Sequence, residues 1–305
     1  MPILSDPKFT AFLSRHADHE SDPRPVAIFD CDGTVIKGDI AEAMFYRQIE
    51  QFLFRRSPAD VWPDHPRREE LDLRFRRLSA LHAGERTDSP DFSPFADILL
   101  SFYFGQIAEG LVVKACSDMS RLLAGFTPAE ARGIAADTFR DELAAPLSTR
   151  RLGGRELPRG IRFLVEAVEI VTELQKRDFE IWAVSGSNKW SVEPVFEALG
   201  IGRDRVVGLE MREQNGVLTT ETVEPVPIRE GKIPAFQRSS ARVPVLVASD
   251  SKNDVPLFLY SSDLKVRINS RNRDTDDFFR FAGVPTDERW MLIESPRLSA
   301  GTRHG

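Results

Sequence analysis

Cysteine and histidine are scarce in this sequence, with two of the first and five of the second among 305 residues. Cys31 and Cys116 stand far apart without ligand spacing, so neither a disulfide framework nor a zinc site is indicated. The histidines at 16, 19, 65, 82 and 304 have no metal spacing with one another and fall outside every motif described below. No apolar run approaches the roughly 20 residues of a membrane span, and the N-terminal stretch is too polar and broken for a secretory signal. The chain is therefore expected in the cytoplasm. An excess of positive charge is also missing. The formal net charge of −6 argues against general nucleic-acid binding and leaves a small molecule as the default partner; oligomeric state stays open. No repeat of solenoid length occurs.

What is present is enough apolar sequence, 41% of residues, for a full core. "VAIF", residues 26 to 29, reads as a buried strand. Residues 40 to 150 give mostly helical signals, broken by the Pro- and Ser-rich "SPADVWPDHPRRE" and "ERTDSPDFSP". From Gly160 the pattern alternates. Leu164, Ala167, Val168, Val171 and Leu174 share a helical face, and "EIWAVSGS" reads as a strand ending in a small polar loop. Val192, Val195, Phe196 and Leu199 are spaced as a helix, with Pro194 tolerated in its first turn. "RVVGLEMREQNGVLTTETVEPV" reads as a hairpin turning at Asn215-Gly216. "VPVLVASD" and "LKVRI" read as further strands. In an open parallel sheet the carboxyl ends of strands share one edge, which would bring three polar clusters together.

Those three clusters and a fourth, "REGK", hold the chemistry. "FDCDGT" ends a buried strand on Asp30 and Asp32, followed by Thr34; "VSGS" supplies Ser185 and Gly186; "REGK" supplies Lys232; "SDSKND" supplies Asp250, Asn253 and Asp254. Burying one unpaired carboxylate costs on the order of several kcal/mol, and neighbours repel. A hard divalent cation such as Mg²⁺ answers crowded carboxylates with oxygen ligation. The cation and Lys232 would offset phosphoryl charge, while Ser185 and backbone amides donate to its oxygens.

Asp-x-Asp-Gly-Thr, a strand-terminal serine, a lysine and Asp-x-x-x-Asp, in that order, resemble the haloacid dehalogenase (HAD) superfamily, and "VSGS", the hairpin before Lys232 and "SDSKNDVPLF" resemble its phosphoserine phosphatase-like branch. The resemblance implies an α/β fold, a Rossmann-like core with a parallel sheet plus a large inserted α-helical cap domain. The expected division is core over 1–37, helical cap over 38–157, core again over 158–295 and a flexible tail over 296–305. It implies a Mg²⁺-dependent phosphatase acting on a small phosphorylated metabolite, with Asp30 as the nucleophile that becomes an aspartyl-phosphate and Asp32 as general acid and then base. It further implies that Mg²⁺ is held by the Asp30 side chain, the Asp32 backbone carbonyl and Asp250, with Asp254 in or near the shell, Asn253 beside the phosphate and Thr34 orienting Asp32. Dehalogenation is set aside, because phosphatase chemistry needs the second aspartate. Ser249 and Lys252 in the last motif, and Ser-Gly-Ser-Asn-Lys-Trp in the second, depart from typical phosphoserine phosphatases and blur the substrate.

Asp39 falls where relatives of that branch carry an acidic residue meeting the substrate's amino group, and it also reads as the N-cap of a helix, the two roles being compatible. Phosphoserine-like esters lead; phosphocholine or phosphoethanolamine esters and a phosphotransferase reaction are alternatives. A catalytically silent binding module is the non-enzyme alternative, disfavoured because every catalytic position is filled. The arginines of "HPRREELDLRFRRLSALH" and "STRRLGGRELPRG" read mainly as solvated faces, with an anion-binding role or an oligonucleotide end as rivals. Trp190 reads as core or rim before a stacking platform, and Cys31 as a packed residue facing away from the two aspartates.

Overall fold

The computed structural model describes residues 3–16, 24–271, 278–280, 283 and 287–300. The chain opens with α1 (Pro7–Arg15), β1 (Val26–Phe29) and β2 (Ile36–Lys37). There follow α2 (Ile40–Glu50), α3 (Pro58–Val61), α4 (Arg68–Ser79), α5 (Phe92–Ala108), α6 (Val112–Arg121) and α7 (Pro128–Ala144). Next come β3 (Ser148–Leu152), β4 (Arg155–Arg159), β5 (Arg162–Phe163), α8 (Val165–Lys176), β6 (Glu180–Asn188) and α9 (Lys189–Glu197). The remainder is β7 (Val206–Leu209), β8 (Met211–Gln214), β9 (Val217–Thr222), α10 (Lys232–Gln237), β10 (Leu246–Ser249), α11 (Val255–Tyr260), β11 (Leu264–Asn269) and β12 (Trp290–Glu294).

Six strands form one sheet in the order β12-β11-β10-β1-β6-β7, every pair parallel. A parallel sheet covered on both faces needs strands that are apolar at every position, and β1 and β10 are buried throughout. Alternation then divides their side chains: Ala27 and Phe29 join the core with α1, α8 and α9, while Val26 and Ile28 join the one with α10 and α11. The expected Rossmann-like core with a helical cap is thus the observed architecture. The helices between β2 and β3 have an aromatic core of their own, built on Phe45, Tyr46, Phe52, Phe95 and Tyr103.

β10, β1 and β6 are adjacent in the sheet and run the same way. The ends of "VAIF", "EIWAVSGS" and "VPVLVASD" therefore meet on one edge, as the pattern of polar clusters requires.

Several elements differ from the sequence reading. α9 starts at Lys189, because Asn188 caps it by accepting the Ser191 N–H, so Pro194 lies beyond the first turn. Residues 206–209 pair with β6 in the main sheet, and the hairpin is confined to β8 and β9, turning at Asn215 (φ 53°) and Gly216 (φ 79°). "STRRLGGRELPRG", read for its arginines, forms the antiparallel β3–β4 hairpin. Residues 296–300 are tied down: the Leu298 backbone bridges to Leu164, and Arg297 pairs with Glu166 and Glu169. Residues 301–305 of the expected tail lie outside the described residues.

Gly33 follows Asp32 with φ +80°, and a Cβ there would stand 2.5 Å from an Asp250 carboxylate oxygen. Only glycine lets the first motif turn so close to the last. Gly33→Ala is expected to lower the unfolding free energy by at least about 1–2 kcal/mol, the usual cost of a left-handed side-chain residue. Denaturant titration checks this; an unchanged midpoint would contradict the steric account.

Candidate active site

Asp30 extends the β1–β10 ladder, its N–H donating to the Ala248 carbonyl at 3.0 Å, and its carboxylate is buried. The ammonium of Lys232, at the start of α10, lies 2.9 Å from Asp30 Oδ1 and 2.5 Å from Asp254 Oδ1. Burial works against the lysine's charge, but Asp254 and Asp30 outweigh it and raise its pKa above the ordinary value. Burial pushes Asp254 up to about 6 against the pull of that lysine. The Ser249 hydroxyl donates to the other Asp254 oxygen. Asp254 thus faces Lys232 and Ser249.

Thr34 lies behind this group. Its Oγ1 accepts the Asp250 N–H at 3.0 Å and stands 3.5 Å from Asp30 Oδ2. Its hydroxyl therefore meets Asp250 and Asp30, whereas the sequence reading has it orienting Asp32.

Asp32 is oriented from two elements, receiving the Ile40 N–H of α2 at 2.7 Å and the Ser187 hydroxyl of β6 at 2.6 Å. Burial, followed by the charge of Asp39, holds its carboxyl well above the usual range despite these bonds. A carboxyl that burial inclines toward its neutral form, two residues from a carboxylate paired with an ammonium group, suits acid catalysis.

Ser185 is buried, its oxygen accepting the Ser187 N–H at 3.2 Å. With Gly186 it lines a cavity of about 250 Å³, together with Asp30, Asp32, Lys232, Asp250, Asn253, Asp254 and Asp39. All the sequence-predicted site residues except Thr34 line this space. Asn253 accepts from Arg229 at 3.2 Å. Asp39 caps α2, accepting the Glu42 N–H at 2.9 Å, while also lining the cavity, so its position is compatible with both roles.

Arg271 bears on the question of a cation. Its Nε lies 3.0 Å from Asp250 Oδ2 and its terminal nitrogen 3.4 Å from the Asp32 carbonyl oxygen. A guanidinium thus stands in for positive charge against two of the groups that the family resemblance gives to Mg²⁺. Among the described residues no three carboxylate, imidazole or thiol side chains form a metal cluster. A donor set of the Asp30 and Asp250 carboxylates and the Asp32 carbonyl needs only two such side chains, all its donors are hard oxygens, and it fits Mg²⁺.

Other candidates separate cleanly. Burial keeps the Cys31 thiol well above its ordinary pKa and pushes Cys116 up to about 12, so neither supplies a thiolate. Trp190 packs with Leu209, Met211 and Leu218, away from the cavity. The α4 arginines pair with Glu70, Asp72 and Asp91 on the surface.

Four cavity residues escaped sequence reasoning: Glu42, Tyr103, Ser187 and Arg271. Glu42 receives the Tyr46 hydroxyl at 2.8 Å and the Tyr103 hydroxyl at 2.9 Å, and burial pushes it up to about 7. A signal existed for Ser187, two residues after Ser185 on the same strand and hence on the same face. For Tyr103, sixty-one positions from Glu42 in sequence, no local signal exists.

Comparison with known proteins returned a match to the haloacid dehalogenase-like hydrolase family over residues 79–259, more than half of the chain, beginning after the Asp30–Thr34 segment. No curated protein matches. Among solved structures, a conserved protein of unknown function from Anaerococcus prevotii DSM 20548 is 17% identical, with 92% of this chain and 89% of that one covered at a TM-score of 0.71. A protein of unknown function from Bordetella pertussis Tohama I is 18% identical, with 89% and 99% covered at 0.52. A substrate-bound phosphoserine phosphatase is 14% identical, with 81% and 87% covered at 0.39, a likeness too distant to speak for the substrate.

Glu42 gives the site a pH signature. An ordinary glutamate titrates near 4.5 and folded Glu42 near 7, so the folded state takes up the extra proton between these values. The stability it contributes is full below the lower value and is lost as pH rises through the upper one. Glu42→Gln is expected to flatten the decline in Tm from about pH 5 to about pH 8. A mutant profile parallel to the wild type would contradict the assignment.

Proposed function

Because the chain belongs to the haloacid dehalogenase-like hydrolases, we propose that it is a Mg²⁺-dependent phosphomonoester hydrolase working through an aspartyl-phosphate on Asp30. The observation that carries this is the pairing of an Asp30 carboxylate fixed by Lys232 with an Asp32 carboxyl held by Ile40 and Ser187, whose pKa burial raises. Asp30 attacks phosphorus, and Asp32 gives its proton to the departing alkoxide. Asp32, now ionised and still held by Ile40 and Ser187, takes a proton from the water that cleaves the acyl phosphate. Lys232 balances phosphoryl charge, and Ser185 with the Gly186 backbone bounds the oxygens. Mg²⁺, when held by Asp30, Asp250 and the Asp32 carbonyl, would supply further charge neutralisation at the phosphoryl group.

Asp39 and Glu42 line the same cavity. Two carboxylates beside the leaving-group side favour an alcohol bearing an ammonium group, and a phosphoserine-like ester is the simplest such substrate. Among the described residues no helix is long and apolar enough to cross a membrane, and we place the reaction in the cytoplasm on the character of the sequence.

Phosphate release from a panel of small esters, with Mg²⁺ and with chelator, tests the reaction. Asp30→Asn is expected to keep the fold and lose at least about 10³-fold in kcat, the scale of removing a nucleophile. Wild-type turnover in that variant would sink the mechanism.

A further inference from the structure

The catalytic cavity does not end at Asp39. Asp39, Glu42 and Arg271 also wall a second, larger space of about 670 Å³, lying between α2 and the β3–β4 hairpin. These three residues are the boundary that the two spaces share. A space of that size is in the range that holds whole metabolites, whereas the catalytic cavity alone is below it.

The charges of the outer cleft are unequally engaged. Its carboxylates already have donors: Asp39 takes the Glu42 N–H, Glu42 takes two tyrosine hydroxyls, and Glu142 takes the Gly160 N–H at 2.6 Å and the Arg150 guanidinium. Two of its cations, Lys37 and Arg159, are exposed and make no ion pair among the described residues. Beyond Asp39 and Glu42, positive charge is what the cleft has left to offer a ligand.

We infer that the two spaces communicate past Asp39, Glu42 and Arg271, and that the substrate's alcohol portion enters the outer cleft there and ends on an anionic group, carboxylate or phosphate, received by Lys37 and Arg159. The substrate is then a phosphoserine-like monoester extended beyond the free amino acid, with its ammonium group beside Asp39 and Glu42 and a second negative charge at its far end. This rests on the phosphomonoesterase reading and adds its substrate class.

Three hexyl phosphates, ending in hydroxyl, carboxylate or a second phosphate, test it beside O-phosphoserine in the wild type and in the Lys37→Ala/Arg159→Ala double variant. The expected result is a kcat/KM advantage of at least about tenfold for an anionic end over the hydroxyl end, lost in the double variant. Whichever anionic end gains more identifies the group. Equal rates for all three ends, or an advantage that survives the double substitution, overturns the inference while leaving the phosphatase intact. If no ester is hydrolysed, the phosphatase reading fails. Calorimetric binding of the bisphosphate to both proteins then decides the cleft: tighter binding by wild type keeps its anion-binding role, and equal affinity ends it.

Discussion

One lysine ammonium holds two buried carboxylates that would otherwise repel each other, and the site is arranged around it. Lys232, Asp30 and Asp254 are all buried, and each ion left unpaired there would cost on the order of several kcal/mol. Asp30 comes from β1, Asp254 from the turn before α11 and Lys232 from α10, so the ion group joins segments far apart in sequence. With one cation among four carboxylates, negative charge remains in excess. That excess draws Arg271 onto Asp250 and suits the site to a divalent cation, while burial first and the charge of Asp39 second raise Asp32.

The parallel sheet makes this crowding unavoidable. β10, β1 and β6 are neighbours with a common direction, and each sequence run ends in polar residues at the same edge. The cap completes the arrangement through its first helix: the Ile40 N–H steadies Asp32, and Asp39 and Glu42 face the reaction cavity from the same turn. A short segment after β2 therefore links Asp32, the proposed acid, to Asp39 and Glu42. Changes in cap packing, such as at Tyr103, would reach the chemistry through Glu42.

The core of this site was legible because its residues lie on strand ends, where an apolar run stops and a carboxylate begins. Asp30, Asp32 and Asp250 each belong to such a local pattern, and the structure brings them to one cavity with Lys232 from the start of α10. What sequence could not supply depends on distant contacts. Tyr103 reads as one more aromatic in "FYFGQ" until its hydroxyl is seen on Glu42, and Arg271 follows a strand with nothing nearby in sequence to point it at Asp250. β12 was missed because "WMLIE" is short and lies at the sheet edge beyond a polar stretch, while the β3–β4 hairpin was hidden by arginines that mask its turn at Gly153 and Gly154.

The central claim is that a covalent bond forms between Asp30 and phosphorus. Borohydride reduces an acyl phosphate and leaves homoserine in place of aspartate, so acid quench during turnover, reduction and peptide mass spectrometry would locate the bond directly. Homoserine at position 30, dependent on substrate and lost in the presence of chelator, is the predicted result. Steady phosphate release with unmodified Asp30, or with the label on another residue, would contradict the account.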